Sequence, residues 1–201
     1  TRQQDSPHLL VTRNLEPIYD IATALRAFHR VREVWPGARL TVCGSGPEWE
    51  KLEALAGELG DAQAVTFTGR LDNDRIAGLY READVMINPS LADNMPISVL
   101  ESLASGVPVV STDVGGVPFL VTHNETALLV SPGDDRAMAE AIMAVLDKPE
   151  LAEALVQAGY DMIRDYSWPS VRGQLLAVYR SVLERPANSS PGRRDARRHT
   201  G

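Results

Sequence analysis

Six short apolar runs, separated by segments of helical periodicity, constrain this chain more than any other feature. The runs are His8–Asn14, Ala38–Cys43, Ala64–Thr68, Val85–Asn88, Pro108–Thr112 and Ala127–Val130. Strands this short and apolar are buried on both faces, which is the habit of parallel sheets. Between the first two runs, apolar residues recur at positions 21, 25, 28, 31, 34 and 35, a helical stripe that Pro36-Gly37 ends. Further helices are expected over 47–59, 74–82, 96–105, 118–122, 134–146, 149–165 and 168–184. Pro47 stands at a first helical position. Strand–helix alternation of this kind predicts an α/β fold: a single Rossmann-like domain with a mostly parallel six-stranded sheet and helices on both faces.

The 201 residues suffice for one such domain with a full core. Residues 1–7 read as an N-terminal extension, 8–184 as the folded domain and 185–201 as a disordered basic tail. The first residues have no apolar segment of the signal-peptide kind, and Thr1 in place of Met suggests a piece of a longer protein. No run of 18 apolar residues exists to span a membrane. A single cysteine, Cys43, rules out an internal disulfide and fits a reducing, cytoplasmic setting. The four His have no metal-ligand spacing, so no metal is expected. The net charge of −7 includes five Arg and one Asp in 185–201, which leaves an acidic body. An acidic body argues against nucleic acid as the main partner, while the basic tail allows peripheral contact with anionic lipid. Eighteen Arg against Lys51 and Lys148 suggest a GC-rich bacterial source.

The chemistry concentrates in Pro89–Val110, P-S-L-A-D-N-M-P-I-S-V-L-E-S-L-A-S-G-V-P-V-V. It reads as a strand end, a loop carrying Asp93, a helix carrying Glu101, then a Gly-Val-Pro turn into the next strand. A loop and helix start at the carboxyl end of a parallel strand is where α/β sheets bind phosphorylated ligands. Amides at a helix start lack partners and carry partial positive charge. Carboxylates flanking that start can accept the hydrogens of sugar hydroxyls. The residues by themselves allow a plainer reading, an ordinary helix capped by Asp93 or Asn94.

This segment resembles the signature of retaining glycosyltransferases of the GT-B fold, glycosyltransferase family 4 and its relatives. The pattern there is Glu-Gly, an aromatic or apolar residue, Pro, then Leu-Glu-Ala-Met-Ala-x-Gly-x-Pro-Val. The supporting pieces fall in the same order: Thr12-Arg13, V-C-G-S-G-P at 42–47, F-T-G-R-L at 67–71, A-D-V-M-I-N-P at 83–89 and S-T-D-V-G-G at 111–116. The resemblance covers about residues 8–180 and implies the C-terminal, donor-binding domain of such an enzyme. It would transfer a hexose from a nucleoside-diphosphate sugar to an acceptor hydroxyl during glycan biosynthesis. No cofactor is implied beyond the donor substrate. An N-terminal acceptor-binding domain, absent here, is the implied partner, and it or the basic tail could meet a membrane. The isolated domain would transfer weakly or not at all.

Residue by residue, Asp93 matches the first acidic residue of the family pair, beside the donor sugar, and Glu101 the second, on the ribose hydroxyls. Arg13 matches the cation that neutralises the diphosphate. The amides of Asn94, Met95, Pro96 and Ile97 mark the segment facing the sugar hydroxyls, and those of Ser98 and Val99 the segment facing the phosphates. Arg70 and Leu71 match the segment whose backbone meets the base. Three positions depart from the pattern. Asp93 stands for Glu, Asn94 for Gly, and Ile18-Tyr19 for a Lys-Gly pair. That Lys adds a second positive charge on the leaving diphosphate, a type of contribution worth about 3 kcal/mol, or ~100-fold in rate. Its replacement gives an alternative reading: a non-catalytic sugar-nucleotide-binding or partner subunit.

Overall fold

The computed structural model describes residues 6–183. Six strands form one sheet: β1 (His8–Thr12), β2 (Arg39–Cys43), β3 (Val65–Gly69), β4 (Val85–Asn88), β5 (Val109–Thr112) and β6 (Leu128–Val130). Their order is β3-β2-β1-β4-β5-β6, and every pairing is parallel. The chain thus winds outward from β1 to β3, returns to the middle, and winds the other way from β4 to β6. Where the direction reverses, between β1 and β4, the loops leave toward opposite faces and open a crevice at the carboxyl ends of the strands.

Both faces are apolar, so each strand contributes alternate residues to two separate cores. Leu9 and Val11 of β1, Leu40 and Val42 of β2, and Val85 and Ile87 of β4 point to one side. There they meet α1 (Ile21–Val34), α2 (Trp49–Glu58) and α6 (Asp135–Asp147). Leu10, Met86 and Val109 point to the other, against α3 (Asn73–Glu82), α4 (Ile97–Ala104) and α5 (Val117–Leu120). The helix α7 (Pro149–Ile163) reaches both, with Leu155 in the first core and Met162 against the second. Asp72 and Asp134 cap α3 and α6, accepting the N–H groups of Arg75 and Ala137 at 2.9 and 2.8 Å.

The described residues divide into two compact units. The first ends at Ile163 and the second begins at Arg164. The described part of the second is a 3-10 turn, Arg164–Tyr166, and α8 (Trp168–Leu183), none of whose residues is buried. No described helix is long and apolar enough to cross a membrane. The tail over 185–201 and most of the N-terminal extension lie outside the described residues.

Three local departures from the sequence reading have physical causes. The first strand stops at Thr12 because only His8–Thr12 pair with β2, which leaves Arg13 and Asn14 in the loop above the sheet. Pro47 lies in a turn, and the helix begins at Trp49 after Glu48 N–H bonds the Leu15 carbonyl at 3.0 Å. Pro96 is the N-cap of α4 rather than a residue of its first turn, with φ −68° and ψ 106°.

One buried polar group ties the amino end of the sheet together. His8 is 1 % exposed, its Nε2 is 2.8 Å from Thr41 Oγ1, and its backbone N–H donates to Asp84 Oδ2 at 2.8 Å. Burial, helped by the charge of Arg39, lowers the His8 pKa against the opposing pull of Glu82 and Asp84. The unfolded chain therefore binds this proton more tightly than the folded one. The His8 contribution to stability is present above pH ~6.5 and is lost as pH falls below it, by up to about 1.4 kcal/mol per unit. Urea denaturation at pH 7.5 and 5.5 should show a larger loss for the wild type than for His8→Gln. Equal losses would remove His8 as the cause.

Candidate functional site

The crevice between β1 and β4 is floored by a polar network. Asn88, the last residue of β4, is fully buried and donates through Nδ2 to Ser111 Oγ at 2.9 Å. Its Oδ1 accepts from Ser90 Oγ at 3.0 Å and from Arg13 Nε at 3.0 Å. Thr112 Oγ1 donates to the Ser90 carbonyl at 2.6 Å, fixing the chain that leaves β4. Arg13 is the centre of this assembly. Its side chain is 13 % exposed, its guanidinium is ion-paired with Asp93, and it lies over the Tyr19 ring at 4.8 Å from the centroid. Burial depresses the Arg13 pKa, and Tyr19 and Tyr80 oppose the shift. An arginine stays charged under such a shift, and a buried cation is tolerated only with partners of this kind.

The loop after β4 is held open by two glycines of the loop after β5. Gly116 N–H donates to the Asp93 carbonyl at 2.8 Å. A Cβ at Gly115 would collide with that carbonyl, and one at Gly116 with the carbonyl of Asn94. These glycines are there because two backbones touch. The loop then enters α4 with no side-chain cap at Pro96. Val99 N–H is used by the Pro96 carbonyl at 3.0 Å, which leaves those of Ile97 and Ser98 as the open donors. The Ser98 hydroxyl is buried without a hydrogen-bond partner.

One turn along α4, Glu101 is exposed rather than buried among its apolar neighbours. Its Oε2 accepts from the buried Tyr80 hydroxyl at 3.2 Å. Together with Arg13, Asn14, Tyr19, Arg70 and Ser98, it lines a cleft of about 300 Å³ at the carboxyl edge of the sheet. Gly44 closes the floor of this cleft, since any Cβ there would strike the Arg13 carbonyl.

Of the residues singled out in the sequence, Arg13, Arg70, Leu71, Ile97, Ser98 and Glu101 converge on the cleft. Asp93 joins them through Arg13. Asn94 and Met95 are exposed on the loop, whereas Pro96 and Val99 are buried. Asn88, Tyr19 and Tyr80 were not singled out as site residues in the sequence. Asn88 ends the run Val85–Asn88, Tyr80 stands between Leu79 and Arg81-Glu82, and Tyr19 stands where the family pattern has Gly.

The loop contact gives a direct test. Gly116→Ala forces the Asn94 carbonyl away and should destabilise the fold by roughly 1–3 kcal/mol, the usual range for overpacking. Chemical denaturation of the variant measures it, and unchanged stability would mean that the two loops do not touch.

Comparison with known proteins places this geometry. The family model described as glycosyl transferases group 1 matches residues 1–162. A phosphatidyl-myo-inositol mannosyltransferase of Mycobacterium leprae is 33% identical over 175 residues, covering 87% of this chain and 46% of the relative. The chain thus spans less than half the length of that relative. Sucrose-phosphate synthase from Thermosynechococcus elongatus superposes with a TM-score of 0.81 at 30% identity, over 90% of this chain and 46% of that one. Anabaena HepE, solved in complex with UDP-glucose, gives a TM-score of 0.81 at 18% identity, over 88% of this chain and 49% of its own, a likeness of fold alone. The chain belongs to the group 1 glycosyltransferases and has the fold of the C-terminal, Rossmann-like half of a GT-B enzyme.

Proposed function

We propose that this chain binds a nucleoside-diphosphate hexose and serves as the donor-binding half of a retaining glycosyltransferase. The convergence of a buried cation, an uncapped helix start and a carboxylate on one cleft carries this reading. The diphosphate is negative and needs fixed positive partners. Arg13 and the open Ile97 and Ser98 amides supply them, and a metal ion is not required for binding. Glu101 accepts hydrogen bonds from ribose hydroxyls, and the Arg70-Leu71 backbone lies along the base. Asp93 faces the sugar. HepE, of the same fold, was solved with UDP-glucose, which supports a donor of this class. In the whole enzyme the nucleoside diphosphate departs from an oxocarbenium-like sugar. An acceptor hydroxyl brought by the N-terminal half attacks on the same face.

The Arg13–Asp93 pair sets a condition on this binding. In the structure the carboxylate already neutralises the guanidinium, so a diphosphate must compete with it. Asp93→Asn should therefore bind the bare nucleoside diphosphate severalfold more tightly while losing preference for the sugar-bearing form. Equal weakening of both would show that Asp93 only supports the fold.

The alternative, a non-catalytic binding subunit, is favoured by position 18. Ile18 stands where the family pattern has a second cation, and the ring of the adjacent Tyr19 sits on Arg13. The two readings part when the chain is mixed with an N-terminal half and donor. Sugar transfer establishes the enzyme, and binding without transfer establishes the subunit.

Calorimetric titration of UDP, GDP and ADP, and of their glucose and mannose derivatives, tests the site without added metal. One nucleotide series should bind saturably. Glu101→Ala should abolish that binding, and Arg13→Ala should weaken it at least tenfold, as loss of a charge-assisted contact does. No binding by a folded protein, or binding only with Mg²⁺, overturns the reading.

A further inference from the structure

Glu101 stands between two cavities. On one side is the cleft with Arg13 and Ser98. On the other is a groove of about 210 Å³ between α3 and α4, lined by Asn73, Ala77, Tyr80, Ala104 and Ser105. A glutamate on an exposed helix face has three rotatable bonds and room on both sides, so its own helix does not decide which way it points. The deciding contact comes from α3. Tyr80 is 2 % exposed, and its ring is packed in the core cluster that holds Val99 and Leu103 of α4. Part of it lines the groove, and its hydroxyl meets Thr12 and Ser98, two residues that line the cleft.

That hydroxyl is 2.8 Å from Thr12 Oγ1, 3.2 Å from the Ser98 carbonyl and 3.2 Å from Glu101 Oε2. A phenol has one proton. Thr12 can donate to it, which leaves the Tyr80 proton to be shared between the Ser98 carbonyl and the carboxylate, with the charged acceptor the stronger. The chain Thr12 to Tyr80 to Glu101 therefore runs from the end of β1 to the first turns of α4, the two sides of the crevice. Burial raises the Tyr80 pKa far above its ordinary value, and Glu101 adds to this against the Thr12 hydrogen bond. The phenol stays protonated across the working range and acts as a fixed donor.

We infer that Tyr80 is a positioning residue for Glu101: its buried hydroxyl, oriented by Thr12, holds the carboxylate on the cleft side of α4, where it reads the ribose hydroxyls of a nucleotide. The inference rests on the donor-site reading above and adds to it a residue that touches no ligand. One carboxylate oxygen of Glu101 is thereby committed to Tyr80, and the other is left for the ribose.

The test compares a ribonucleotide with its dideoxy analogue. Wild type and Tyr80→Phe are titrated with whichever of UDP, GDP or ADP the wild type binds, and with the 2′,3′-dideoxy form of the same nucleotide. Phenylalanine keeps the buried ring and removes only the hydroxyl. Tyr80→Phe should weaken ribonucleotide binding about tenfold, as loss of a hydrogen bond to a charged group does, and leave dideoxynucleotide binding within twofold. A purely structural role would weaken both alike, and that outcome overturns the inference. So does unchanged ribonucleotide binding, or a wild type that binds both forms equally. Should Tyr80→Phe fail to fold by thermal melting, Thr12→Val removes the upstream hydroxyl and must show the same ribose-dependent loss, in smaller degree. A wild type that binds none of the nucleotides refutes the donor site itself, which separates that failure from a failure of Tyr80 alone.

Discussion

The site depends on one buried ion pair. Arg13 leaves the end of β1 and turns into a region with little access to water, where an unpaired guanidinium would be costly. Asp93 supplies the counter-charge, Asn88 accepts from Nε, and Tyr19 covers the flat face of the group. Each partner comes from a different part of the chain: the loop after β4, the end of β4, and the 3-10 turn before α1. The pair therefore sets the mutual position of the loops that leave β1 and β4. The sheet order makes those strands adjacent, and the ion pair ties their loops above the switch point.

Around the ion pair, backbone segments are brought close and kept open. Gly44 lets the end of β2 lie against the Arg13 carbonyl, and Gly115-Gly116 let the loop after β5 support the Asp93–Asn94 carbonyls. The helix α4 consequently starts without a side-chain cap, its first amides directed outward. An uncapped start is a modest loss of helix stability, on the order of 1 kcal/mol. It is the same feature that makes the helix useful toward an anion.

Much of this was legible in the sequence, because parallel strands buried on both faces leave a plain signal. Val85–Asn88 is found with the expected limits, and the other five strands lie within two residues of theirs. The cleft residues were partly legible too: Arg13, Arg70, Leu71, Ile97, Ser98 and Glu101 were singled out and meet in space. Asn88 and Tyr80 were not, because what a buried polar side chain will face stays hidden until its partner is known. Glu101, on α4, is exposed. Its apolar neighbours along α4 face the core, and at a helical pitch of 3.6 residues its own direction is outward.

The sequence by itself determined the alternation of strands and helices, the placement of the loops at one edge of the sheet, and the kinds of group at the site. Those are local properties, written in periodicity and turn chemistry over spans of a few residues. Tertiary structure alone decided which groups face each other. Arg13 meets Asp93 across 80 positions of chain, and Tyr80 reaches Glu101 across 21. Such distances are closed by the order of strands in the sheet and by the packing of α3 against α4. Neither leaves a trace in neighbouring residues, because the contact energy belongs to pairs that only the folded chain brings together.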